Sequence, residues 1–105
     1  MPVLAIYRSD NTSSADYDRY RSALPLDQAP PGALLHSYAR DGDGYCVVEV
    51  WKDAESARRF NDEVVAPTAA RLGLPHAKPQ ILEIADLVAV DGLDKACVTL
   101  SETGC

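Results

Sequence analysis

The chain has 105 residues, 47% of them apolar and 25% charged, with a formal net charge of −6. That length suits one domain with a modest core, and no apolar run approaches the roughly 18 residues that cross a bilayer. The acidic balance argues against nucleic acid, whose binding rests on a basic surface.

Met1-Pro2 leads straight into the strand-like Val3 to Arg8, with no signal-peptide pattern, so a cytoplasmic location is expected. After the polar stretch Ser9 to Ser14, Tyr17, Tyr20 and Leu24 recur at helical spacing, predicting a helix from Ala15 to Leu24. Ser13 and Asp16 stand at capping-box spacing before it. Pro25, Pro30 and Pro31 end it and make Pro25 to Gly32 a loop. Two alternating strands follow, Ala33 to Arg40 and Tyr45 to Lys52, joined by the hairpin signal Asp41-Gly42-Asp43-Gly44. Leu34, His36 and Tyr38 share one face of the first; Tyr45, Val47, Glu49 and Trp51 share one face of the second.

Asp53 is positioned to cap a second helix, Ala54 to Leu72, which Pro67 should kink or split and Gly73 should end. A linker holding Pro75 and Pro79 then precedes a last strand, Gln80 to Val90. The order β-α-β-β-α-β predicts an α+β, ferredoxin-like antiparallel sheet with both helices on one face. Apolar residues occupy both faces of the hairpin, so a second copy is expected to cover the bare face, giving a homodimeric α+β barrel. The three cysteines, Cys46, Cys97 and Cys105, show no C-x-x-C spacing. Neither a disulfide framework nor a metal site is expected, and Cys46 reads as a small buried hydrophobe.

Pro31-Gly32-Ala33-Leu34-Leu35-His36, Gly44-Tyr45 with Val48-Glu49-Val50-Trp51, Glu55 to Phe60, and Pro67 together resemble the antibiotic biosynthesis monooxygenase superfamily of dimeric α+β barrels. The resemblance covers residues 3 to 90. It implies a pocket between sheet and helices in each subunit, and oxygenation or cyclisation of an aromatic or polyketide-like molecule in secondary metabolism. It also implies no metal or flavin, because the electron-rich substrate itself activates oxygen. Haem-degrading members carry an asparagine on the first strand, where this chain offers only Tyr7 and Arg8 as polar residues.

His36 is the residue expected to act as base, since an imidazole both takes and gives a proton near neutral pH. It could equally be a hydrogen-bonded core or interface histidine. Trp51, Tyr38 and Phe60 are the expected aromatic walls; Trp51 either gives its indole N–H to a flat ligand or anchors the core beside Phe60. His76, Asn61 and Tyr7 are further candidate contacts. Glu49 either faces solvent or meets a cation such as Arg40, because a lone buried carboxylate is costly. No Ser-His-Asp or Cys-His arrangement and no phosphate-binding glycine loop is present.

Residues 91–105 read as a flexible tail. Its Cys97, Thr99, Ser101, Thr103 and Cys105 admit a second reading, in which residues 1–90 are a folded leader and a modifying enzyme acts on the tail. A third is a non-catalytic small-molecule-binding barrel.

Overall fold

The computed structural model describes residues 1–76 and 78–93. The tail residues from Cys97 to Cys105, with the modification reading attached to them, lie outside the described residues. The elements are β1 (Val3–Ser9), α1 (Ser14–Ala23), β2 (Ala33–Asp41), β3 (Gly44–Trp51), α2 (Ala54–Phe60), a π-helical turn (Asn61–Val65), α3 (Ala66–Leu72) and β4 (Gln80–Glu83). The strands form one antiparallel sheet in the order β2-β3-β1-β4, the ferredoxin-like arrangement.

Local chemistry explains most of the boundaries. Ser13 caps α1, its Oγ accepting from the Asp16 N–H at 3.1 Å. The Asp16 carboxylate turns outward to Arg19 at 3.4 Å, so only half of the capping box forms. The β2–β3 turn places Gly42 first, at φ +58°, a conformation that a side chain resists. Asp53 caps α2 by accepting from the Ser56 N–H at 2.8 Å, and that backbone bond holds its carboxyl below the usual range.

The second helix is split, as Pro67 requires. Proline has no N–H to give, and its ring crowds the preceding turn. The chain widens before it into the π turn, where the Ala66 N–H reaches back to the Asn61 carbonyl. Gly73, at φ +69°, then ends α3 in the left-handed conformation.

Two features depart from expectation. The last strand stops at Glu83 instead of Val90. Glu83 already pairs with Val3, where β1 starts, and the Ile84 N–H bonds to the Pro2 carbonyl as a final rung. A bulge interrupts β2: Ala33 pairs with Trp51 and Leu35 with Val50, leaving Leu34 unmatched and 61% exposed.

Val3, Ala5 and Tyr7 of β1 and Val47 and Trp51 of β3 meet Tyr17, Ala57 and Val65 from the helical side in one buried cluster. By alternation, the opposite sheet face carries Leu4, Ile6, Leu35, Val48, Val50 and Leu82. Cys46 is on that face as well, a partly buried free thiol and not a core residue.

Candidate functional site

A cavity of about 410 Å³ lies between the sheet and the helices. Its floor is Tyr7, Val47, Glu49 and Trp51 from the two central strands, with His36 at the β2 edge. Tyr17, Tyr20 and Arg21 of α1, and Phe60, Val65 and Ala69 of the split helix form its walls. Leu26 to Pro30 and Leu74 to His76 close the ends. The parity of β2 and β3 decides this: His36 pairs with Glu49, and both point to the helical side.

Glu49 is the polar centre of the floor. It is 7% exposed, and its two carboxylate oxygens have separate partners. Oε2 lies 3.0 Å from Nδ1 of His36, and Oε1 accepts the Trp51 indole N–H at 3.0 Å. Of the two alternatives expected for Glu49, it neither faces solvent nor meets Arg40. Arg40 donates instead to the Thr12 carbonyl at 2.8 Å and contacts the Tyr38 hydroxyl at 3.3 Å. Because the indole N–H is taken by Glu49, Trp51 offers a ligand only its ring, which packs on Phe60 with centroids 5.2 Å apart.

The structure gathers His36, Trp51, Phe60, His76 and Tyr7 around the cavity and leaves outside its lining one expected wall, Tyr38, and one expected contact, Asn61. Tyr38 lies behind Tyr17, the two rings stacked at 3.7 Å and 3°. Tyr17 comes from α1 and takes the place on the wall that the strand pattern suggested for Tyr38. Asn61 is buried, accepting from the Tyr7 hydroxyl at 3.4 Å and donating to Asp62 at 3.0 Å.

Missed in the sequence reading were Tyr17, Tyr20, Tyr45 and Arg21, all on the lining. The helical spacing of Tyr17, Tyr20 and Leu24 already marked a shared face, though not one lining a cavity.

Burial pushes the phenols of Tyr7, Tyr17 and Tyr20 well above their ordinary value and raises that of Tyr45, so they remain protonated and serve as donors, not bases. Burial likewise holds His76 below the ordinary imidazole value, and its buried Nε2 has no hydrogen-bond partner among the described residues. His36 differs in being 40% exposed at its side chain and hydrogen-bonded through Nδ1, which leaves Nε2 for a ligand. Among the described residues no three His, Cys, Asp or Glu side chains cluster as a metal site, and no helix is long and apolar enough to cross a membrane.

No family model and no curated protein matches the sequence. Among solved structures, the chain is similar to a point mutant of SnoaB, a cofactor-independent oxygenase from Streptomyces nogalater. The TM-score is 0.61 at 20% identity, over 83% of this chain and 96% of that one. It is also similar to NE2512, a protein of unknown function from Nitrosomonas europaea. There the TM-score is 0.59 at 20% identity, over 85% of this chain and 96% of the other. At such identity the likeness establishes the fold.

Proposed function

We propose that this protein is a cofactor-independent oxygenase of the antibiotic biosynthesis monooxygenase type, acting on an electron-rich aromatic or polyketide-like small molecule. The observation that carries the reading is the His36–Glu49–Trp51 chain on the floor of an aromatic cavity. The fold shared with the SnoaB oxygenase supports it.

The chemistry follows from the arrangement. With the Nδ1 proton of His36 directed at Glu49, Nε2 is the free base that removes a proton from an acidic C–H or phenol of the substrate. The resulting carbanion or phenolate is electron-rich enough to reduce dioxygen itself. For an anthrone, the ring CH₂ becomes C=O; one oxygen atom enters the product and the other leaves as water. Trp51, Phe60, Tyr17 and Tyr20 hold the flat ring and keep bulk water from the reactive anion.

The test is oxygen uptake with 1,8-dihydroxyanthrone in the presence of a chelator. One O₂ consumed per anthraquinone formed, faster than without protein, is the expected result. A rate equal to the protein-free rate would remove the oxygenase reading.

The working form is proposed to be a homodimer. The sheet face carrying Leu4, Ile6, Leu35, Val48 and Val50 is opposite the helical core, and a second copy would cover it. Beyond β4, Leu87, Val88 and Val90 are 53%, 75% and 73% exposed, an apolar segment suited to the same interface. Sedimentation equilibrium should give twice the monomer mass, and the double variant Leu35→Glu, Val48→Glu should give the monomer. A monomeric wild type would end this proposal.

A further inference from the structure

Arg21 is in the last turn of α1, partly buried, on the wall of the cavity. Among the described residues its guanidinium makes no ion pair and no side-chain hydrogen bond, whereas Arg19, Arg40 and Arg59 each have a partner. The other lining residue of fixed charge type, Glu49, has both oxygens engaged by His36 and Trp51. The cavity therefore holds one uncommitted positive charge among aromatic rings. Tyr17 and Tyr20 of the same helix line that cavity with it.

We propose that Arg21 is a specificity-determining residue that selects planar aromatic acids, pairing its guanidinium with a carboxylate of the substrate. This rests on the cavity being the substrate site proposed above. A guanidinium matches a carboxylate with two parallel N–H donors, and the surrounding apolar wall strengthens the pairing by excluding water. The acid group is held at α1, while His36 works from β2. A neutral ring would use the aromatic surface alone and leave the guanidinium without a partner.

Trp51 is the single tryptophan of the chain and lines the cavity, so its fluorescence reports binding. The probes are anthracene-2-carboxylate and its neutral isostere anthracene-2-carboxamide. Wild-type protein should bind the carboxylate at least about tenfold more tightly, the scale of one charge-assisted contact. Arg21→Gln should abolish that preference while leaving carboxamide affinity unchanged, and Arg21→Lys should keep part of it. A helix-terminal role for Arg21 alone would alter stability without moving the ratio. Equal affinities in the wild type, an unchanged preference in Arg21→Gln, or no binding of either probe would overturn the proposal. Carboxylate preference without oxygen uptake would instead remove only the oxygenase reading.

Discussion

Replacing Trp51 by alanine is expected to destabilise the protein by about 3–5 kcal/mol, the range for removing a large buried aromatic side chain. Against a total stability of about 5–15 kcal/mol, that loss threatens folding itself. Trp51 is 2% exposed and does two jobs. Its ring packs on Phe60 within the core cluster, and its N–H satisfies one oxygen of the buried Glu49. Trp51→Phe separates these jobs. It keeps most of the packing but leaves Glu49 Oε1 without a donor, a loss of about 1–3 kcal/mol. Denaturant unfolding followed by far-ultraviolet circular dichroism measures both, since the variants lack the tryptophan signal. A phenylalanine variant as stable as the wild type would show that the indole–carboxylate bond contributes nothing.

His36→Ala is expected to lower turnover of the anthrone probe by about 10²–10⁴-fold, the usual worth of a positioned base. The fold should survive a loss of about 1–3 kcal/mol from the unpartnered Glu49 Oε2, because His36 lies on an edge strand and belongs to no buried cluster. Glu49→Gln tests the orienting half of the pair. The amide can donate to Nδ1, which places the imidazole proton on Nε2 and blocks it as a base. A fall of at least about tenfold is expected from the wrong tautomer, with oxygen uptake and product formation falling together. If His36→Ala turned over at the wild-type rate, the histidine would be an ordinary partner of a buried carboxylate. If Glu49→Gln lost stability but no activity, Glu49 would serve the core alone.

Features encoded within a few consecutive residues were legible before any coordinates. The Gly42 turn, the Ser13 and Asp53 caps, the Gly73 ending and the break at Pro67 all depend on local backbone geometry. Alternation along β2 and β3 correctly put His36 and Tyr38 on one face with Glu49 and Trp51. It did not reveal that Tyr17 would slide over Tyr38, because that contact joins a helix to a strand. Nor did it separate Asn61 from the cavity, since the Tyr7 hydroxyl that engages it comes from 54 positions away.

The sequence alone determined the order of elements, the hairpin turn and the two-sided apolar sheet. Each follows from periodicity and from the conformations that glycine, proline and short polar side chains favour or forbid. Only the tertiary structure decided that Glu49 would join His36 to Trp51, that β4 would end opposite Val3, and that Arg21 would face the cavity. Those outcomes depend on how helices seat on the sheet and on which polar groups find partners once water is excluded. Packing of distant segments sets both, and no local pattern along the chain records it.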